Sequence, residues 1–250
     1  DQARATVPVN ATVAAETSAA AADEAAAARE AGFRCVKLKV GTADSPEEER
    51  GRVAAVRGAL GPDVKLRLDA NGAWTVEQAV RTIRSLAEFG LEYIEQPVAP
   101  GDLRGMARVR RDAGVPIAAD EDVSGVEAAR RVLEAGAADT LVIKPMVVGG
   151  LRPAMEIAAM AGHAGVSVVV TTTVDAGVGV AAALHLAAAL PEEGPACGLA
   201  TGSLLAGDIV VWPLVVRAGR MALPDGPGLS VELDEAALVR YATVTREVTA

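Results

Sequence analysis

Between Pro8 and Ala200 the chain alternates short runs of branched aliphatic residues with longer helical stretches, and this rhythm limits its fold more than any other feature. The strand candidates are Pro8–Val13, Arg34–Val40, Lys65–Ala70, Glu92–Gln96, Pro116–Glu121, Thr140–Pro145, Ser167–Val174 and Ala196–Ala200. Helical patterns lie between them over Ser18–Ala31, Ser45–Leu60, Val76–Phe89, Leu103–Ala113, Val126–Ala135, Leu151–Ala164 and Val178–Leu190. Ser45-Pro46-Glu47-Glu48 shows the local chemistry: a capping hydroxyl, a first-turn proline, and acidic residues at the positive end of the helix dipole. Each helix carries the chain back to the same end of the sheet, so the strands run parallel, and eight of them close into a barrel. The expected fold is α/β, a TIM-like (β/α)7β barrel over residues 1–200. The unit of about 25 residues shows no self-similarity, which separates it from a solenoid.

Past Thr201 the rhythm is lost. Pro224-Asp225-Gly226-Pro227-Gly228 is a turn cluster, and residues 201–250 read as short strands and a helical turn packing outside the barrel or on another domain. Half the residues are apolar but only 2% are aromatic, so the core is built from Ala, Val, Leu and Ile. A net charge of −9 disfavours nucleic acid or an anionic membrane as partner and points to a small molecule or metal ion. Cys35 and Cys197 sit in apolar runs and read as reduced thiols of a cytoplasmic protein. No basic and apolar leader pattern opens the sequence. The apolar stretch from Val166 to Leu190 is interrupted by Thr171, Thr172, Thr173, Asp175 and His185, and splits into a strand and a helix rather than a membrane span. Oligomeric state is not written in these patterns.

Within the second strand, Val36, Leu38 and Val40 share one face while Lys37 and Lys39 share the other. Two lysines on one face fit either an edge strand facing water or a polar interior that uses them. The neighbouring strands end in charge as well: Asp69 on the third, Glu95 on the fourth, Asp120 on the fifth and Lys144 on the sixth. Catalytic groups of such barrels stand at the carboxyl ends of strands. In strand order, Asp69, Glu95 and Asp120 fall on one arc as three hard oxygen donors suited to Mg2+ or Mn2+. Lys39 and Lys144, four strands apart in a ring of eight, take opposite sides of the cavity. A carboxylate substrate held between two amines suits removal of the proton alpha to its carboxylate, with a lysine of lowered pKa as base. Taken singly, an Asp or Glu at a strand end is more often a helix cap for the segment after it than a metal ligand; five charges ending five successive strands at the same end are harder to obtain by capping alone.

Lys37-Leu38-Lys39, Asp69-Ala70-Asn71-Gly72-Ala73-Trp74, Ile94-Glu95-Gln96-Pro97, Ala119-Asp120-Glu121 and Lys144-Pro145, in this order and spacing, resemble the muconate-lactonizing branch of the enolase superfamily. The resemblance implies Mg2+ held by Asp69, Glu95 and Asp120, with Lys39 and Lys144 on opposite faces of the substrate. Lys37 then supports Lys39, while Asn71 and Glu121 pair with or orient these groups. Within the branch, Val9–Val13 and Leu186–Leu199 are most similar to actinobacterial o-succinylbenzoate synthases. That similarity implies dehydration of 2-succinyl-6-hydroxy-2,4-cyclohexadiene-1-carboxylate to 2-succinylbenzoate through an enediolate, a step of menaquinone synthesis. Thr171, Thr172 and Thr173, with Gly198 on the eighth strand, are then the candidates for contact with the succinyl arm. Family members carry an N-terminal α+β capping domain, and this sequence begins just before the first barrel strand.

Alternatives stay open within and beyond the branch. An N-succinylamino acid racemase or dipeptide epimerase uses the same two-lysine geometry, although Cys197–Gly202 lacks the Asp-x-Asp that holds a dipeptide amine. A mandelate-racemase-type site needs a histidine on strand seven, whereas His163 and His185 fall in helices. A Schiff-base aldolase through Lys144 would not need three carboxylates, and a non-catalytic barrel scaffold would not need both lysines.

Overall fold

The computed structural model describes residues 3–190 and 194–244; residues 191–193 of the Leu186–Leu199 stretch and residues 245–250 of the C-terminal segment lie outside them. Alternation of side chains along each strand sets the architecture. The elements are β1 (Thr6–Pro8), β2 (Ala11–Val13), α1 (Ser18–Glu30), β3 (Cys35–Lys39), α2 (Pro46–Leu60), β4 (Lys65–Asp69), α3 (Val76–Leu86), β5 (Leu91–Glu95) and α4 (Leu103–Asp112). They continue through β6 (Ile117–Ala119), α5 (Val126–Glu134), β7 (Thr140–Ile143), α6 (Pro145–Val148), α7 (Leu151–His163), β8 (Ser167–Val170) and α8 (Gly177–Ala189). Strands β2 to β8 form one curled parallel sheet in sequence order, so β3 lies between β2 and β4 and is no edge strand. The water-facing alternative for Lys37 and Lys39 is thereby removed.

Val36, Leu38, Leu66, Leu68, Ile94, Ile117, Leu141 and Ile143 point outward from the barrel and are fully buried under the helices, against Ala21, Ala25, Val53, Val56, Ala79 and Ile83 among others. Burying each large side chain contributes about 1.5–3 kcal/mol. Small Ala on the helices lets them approach the sheet, which is how a core poor in aromatics reaches close packing. Helix starts follow the sequence cues: Ser45 Oγ accepts from Glu48 N at 3.2 Å, and Thr75 forms a capping box with Gln78.

Three expected strands differ. Ser167–Val174 ends at Val170 as β8, with Thr171 in an isolated bridge to Gly198. Pro8–Val13 divides into β1 and β2: Pro8 has no N–H for a further ladder bond, and the Val9 N–H turns to Gly219 O. The eighth strand shrinks to Cys197 and Gly198, because the Gly194-Pro195 run disfavours a longer ladder. Those two residues still close the ring. Cys197 N donates to Pro8 O and Asn10 N to Cys197 O on one side; Gly198 N donates to Val170 O and Thr172 N to Gly198 O on the other. Gly198 is required there, since a Cβ would lie 2.2 Å from Thr171 Oγ1. The short helix α6 was not legible as one: Pro145 starts it and Gly149, at φ 99°, ends it.

After the ring closes, β9 (Val216–Arg217) and β10 (Arg220–Ala222) form a hairpin, and β10 pairs with β1 in a small antiparallel sheet outside the barrel. The hairpin turn presses on the end of α1, where a Cβ on Gly219 would meet Gly32 O at 2.6 Å. A final short helix, α9, spans Glu235–Tyr241. Cys35 and Cys197 are free and buried. Among the described residues no helix is long and apolar enough to cross a membrane.

Candidate active site

The inward faces of β3, β4 and β5 carry the pattern Lys37-x-Lys39, Arg67-x-Asp69 and Tyr93-x-Glu95, so pleating alone stacks two layers of polar groups inside the barrel. The upper layer lines a cavity of about 210 Å³ at the carboxyl ends of the strands. Lys37, Lys39, Asp69, Asn71, Glu95, Asp120, Lys144, Thr171, Thr172, Thr173 and Gly198 all border it. Glu121 reaches the rim through Asn71, whose Nδ2 donates to Glu121 Oε1 at 2.9 Å. Every candidate for metal binding, catalysis or substrate contact is therefore in or beside one cavity. Asn10, Thr12, Tyr93, Thr201 and Leu204 also line it and were not singled out.

Three buried carboxylates face three ammonium groups. Lys39 Nζ lies 2.6 Å from Asp69 Oδ2 and donates to Asn71 Oδ1 at 2.8 Å. Lys37 sits one pleat deeper, 2.9 Å from Asp69 and 3.1 Å from Glu95. On the far side Lys144 Nζ lies 2.6 Å from Asp120 Oδ2. Lys39 is 37% exposed and Lys37 14%, which makes Lys39 the lysine that a substrate can reach on that wall. Strands β3 and β7, which lead to Lys39 and Lys144, stand four apart in the strand order, so the two amines flank the cavity from opposite sides.

Burial works to raise the Asp69 carboxyl, but Lys37 and then Lys39 outweigh it and hold it at about 2. Glu95 is pushed the other way, to about 8, by burial; Lys37 opposes this, while the charges of Asp69 and Asp120 add to it. Burial alone would lower Lys37, yet Glu95 and Asp69 raise it above the ordinary lysine range. Lys37 is thus a fixed cation beneath the site, in keeping with a supporting place below Lys39.

Among the described residues, no three Asp, Glu, His or Cys groups are drawn together tightly enough in this arrangement to hold a metal ion. Asp69, Glu95 and Asp120 line one cavity, but lysine amines occupy the oxygens they would offer. The donor set itself fits a hard divalent cation: three carboxylates, each at most 5% exposed, with mutual repulsion that already lifts Glu95.

The threonines are more committed than the sequence suggested. Thr171 Oγ1 and Thr172 Oγ1 donate to Gly198 O at 2.8 and 3.1 Å, Thr172 also meets Thr201 Oγ1 at 2.8 Å, and Thr173 Oγ1 donates to Asp175. The Thr171 and Thr172 hydroxyls hold the seam of the barrel as well as bordering the cavity.

Below this layer lies a second network that sequence reasoning missed. Arg67, fully buried, pairs with Glu92 at 2.5 Å, donates to Ala196 O at 2.7 Å and stacks 4.7 Å from the Tyr93 ring centroid. The signal was present: Lys65-Leu66-Arg67-Leu68-Asp69 alternates as the lysine strand does, so Arg67 had to share the inward face of Asp69. His163 and His185 lie in α7 and α8, as their helical setting predicts; His185 Nδ1 is 2.9 Å from Ala181 O.

Comparison with known proteins places this geometry in a family. Residues 20–237 match the family model described as Enolase C-terminal domain-like. The chain is 45% identical over 242 residues to an o-succinylbenzoate synthase of Thermobifida fusca, an alignment covering 94% of this chain and 73% of that protein. It superposes on a muconate cycloisomerase from Pseudomonas fluorescens with TM-score 0.90 at 32% identity, covering 95% of this chain and 66% of that one. An N-succinyl Arg/Lys racemase from Bacillus cereus superposes with TM-score 0.90 at 29% identity, covering 97% and 65%. The chain thus spans about two thirds of each matched structure's length. The chain belongs to the Enolase C-terminal domain-like family of the enolase superfamily.

Proposed function

We propose that this site performs o-succinylbenzoate synthase chemistry: dehydration of 2-succinyl-6-hydroxy-2,4-cyclohexadiene-1-carboxylate to 2-succinylbenzoate, a cytoplasmic step of menaquinone synthesis. The observation that carries the reading is the flanking of one cavity by Lys39 and Lys144 with Asp69, Glu95 and Asp120 between them. The identity to a named synthase supports this reaction over others of the superfamily.

In this reading Asp69, Glu95 and Asp120 hold Mg2+, or Mn2+ in its place. When bound, the ion supplies Lewis acidity to a substrate carboxylate and so acidifies the proton alpha to it. Lys39 starts as the free amine, released from Asp69, and takes that proton. The resulting ammonium then protonates the departing hydroxyl on the same face, so the ring loses water and becomes aromatic. Lys144 remains a cation opposite and stabilises negative charge building on the substrate. Lys37 holds Asp69 and Glu95 in place from below, and Asn71, backed by Glu121, orients Lys39. Thr171, Thr172, Thr173 and Gly198 form the wall for the succinyl arm. We assign residues 1–200 to the catalytic barrel and 201–250 to a segment packing outside it or on an N-terminal α+β capping domain.

A second reading, racemisation of N-succinylamino acids, is favoured by the same placement of Lys39 and Lys144 on opposite faces, because 1,1-proton transfer needs one acid and one base across the α-carbon. Assaying purified protein with Mg2+ against both substrates decides. Dehydration that needs Mg2+ and is lost in Lys39→Ala is the expected result. Failure to dehydrate, with N-succinylamino acid racemisation equal in wild type and Lys39→Ala, overturns both the reaction and the role of Lys39.

A further inference from the structure

Gln96 follows Glu95 directly and has no part in the chemistry above, yet its setting is tightly constrained. It is fully buried and holds φ at +37°, in the left-handed region that disfavours a side chain. Such backbone strain costs on the order of 1–3 kcal/mol and persists only where the surroundings over-determine it.

The surroundings are the three turns that carry the carboxylates. The main-chain oxygen of Gln96 accepts from Gly72 N at 2.7 Å, three residues past Asp69, and its N–H donates to Ala118 O at 2.8 Å on β6. Its side-chain oxygen accepts from Asp120 N at 3.1 Å. Its side-chain nitrogen donates to Val98 O at 3.2 Å and to Asp122 Oδ2 at 2.8 Å. Asp122 is itself held by Gly101 N at 2.6 Å. The main chain of Gln96 thus ties the Glu95 strand end to the Asp69 turn and to β6, while its side chain makes three hydrogen bonds that tie the same strand end to Val98 and to the Asp120–Asp122 turn.

Packing alone does not explain this choice, because an apolar residue of equal length would fill the same space but leave Asp120 N, Val98 O and Asp122 Oδ2 without these side-chain partners. The left-handed turn is what aims the carboxamide at the main chain of Asp120 while Glu95, one residue earlier, points into the cavity. We infer that Gln96 is a positioning residue that sets the spacing of Asp69, Glu95 and Asp120 and thereby their affinity for a divalent cation. The inference rests on the metal reading given under the proposed function.

The test is Mn2+ binding to the full chain, followed by the electron paramagnetic resonance signal of free Mn2+, with thermal melting measured in parallel. Gln96→Met keeps bulk and loses the three side-chain bonds; its Mn2+ dissociation constant is expected to rise at least about ten-fold, the usual effect of removing a group that orients metal ligands. Ile83→Val, a core change in α3 away from the site, is expected to lower the melting temperature with Mn2+ affinity within about two-fold of wild type. If Gln96→Met does not fold, Asp122→Asn decides in its place, with a rise of about three-fold or more expected. Unchanged affinity in the folded variant overturns the inference. Wild-type protein that binds no Mn2+ overturns the metal reading itself, and the inference with it.

Discussion

Lys144 Nζ lies 2.6 Å from Asp120 Oδ2, and the Asp120 carboxylate is only 5% exposed. The contact is mirrored across the cavity by Lys39 and Asp69 at the same 2.6 Å. Each lysine neutralises a buried carboxylate that a metal-loaded site would turn toward a cation. Under the proposed metal reading, the arrangement couples the charge of a bound cation to the freedom of the two amines.

That coupling predicts how the protein responds when one amine is removed. Lys144→Met leaves Asp120 buried without its partner and should lower stability in chelator by about 1–3 kcal/mol, the cost of an unsatisfied buried group. Mg2+ should then restore more stability to the variant than it adds to wild type, because it fills the charge that the lysine vacated. Thermal melting with and without Mg2+ reads both. Equal Mg2+ increments in variant and wild type would place the cation away from Asp120.

Loss of the amine on the other wall should act on the chemistry. Lys39→Ala is expected to reduce kcat by about 10²–10⁴, the usual contribution of a positioned acid–base group. Exchange of the substrate's α-proton with D2O should fall in parallel if Lys39 removes it. Exchange that survives in Lys39→Ala and disappears in Lys144→Ala would reverse the two roles.

Much of this site could be read before any coordinates, and the reason is pleating. Lys37 and Lys39, Asp69, Glu95, Asp120 and Lys144 are placed by strand order and by which residue ends each strand, both of which sequence periodicity carries. The eighth strand was harder: Cys197 and Gly198 close the ring by four main-chain hydrogen bonds that no side-chain pattern encodes. The threonine contacts were missed for a similar reason, since Thr171 and Thr172 bond a main-chain oxygen whose position depends on that closure. Glu49 and Arg52 of α2 were not singled out from the sequence. Both are buried, with Glu49 accepting from Gly41 N at 2.6 Å and Arg52 donating to Lys39 O at 2.9 Å, a fit that needs α2 docked on β3.

The closure has its own mechanical test. A Cβ at position 198 would stand 2.2 Å from Thr171 Oγ1 and 2.9 Å from Thr171 Cβ, so Gly198→Ala must displace β8 from the seam. A loss of about 1–3 kcal/mol is expected, as for overpacking elsewhere. Adding Thr171→Ala removes the nearer clash and should recover part of it in urea denaturation. No recovery in the double variant would locate the damage elsewhere.

Both thiols are predicted to be inert in the native protein. Burial pushes Cys35 up to about 12, with Arg67 opposing and Glu92 reinforcing, and burial pushes Cys197 up to about 11. Only the thiolate is nucleophilic. Iodoacetamide near pH 8 should therefore label neither residue until denaturant is added, as read by mass spectrometry. Rapid native labelling of Cys35 would mean that the barrel floor opens.

The floor network also fixes a pH dependence. Burial works to raise Glu92, but Arg67, with help from Lys65, outweighs it and holds the carboxyl below its ordinary range. The folded protein then binds this proton more weakly than the unfolded chain does. The stability Glu92 contributes is fully present above the ordinary carboxylate value of about 4.3 and is lost as pH falls through the lowered folded value. Glu92→Gln strands the Arg67 guanidinium with Asn10 and Ala196 as remaining partners. It should cost about 1–3 kcal/mol at neutral pH. The gap between wild type and variant should narrow as urea denaturation is repeated from about pH 7 down to about pH 3.5, because acid removes from wild type what the substitution already removed from the variant. A gap that stays constant over that range would show that Glu92 acts through shape and not through its charge on Arg67.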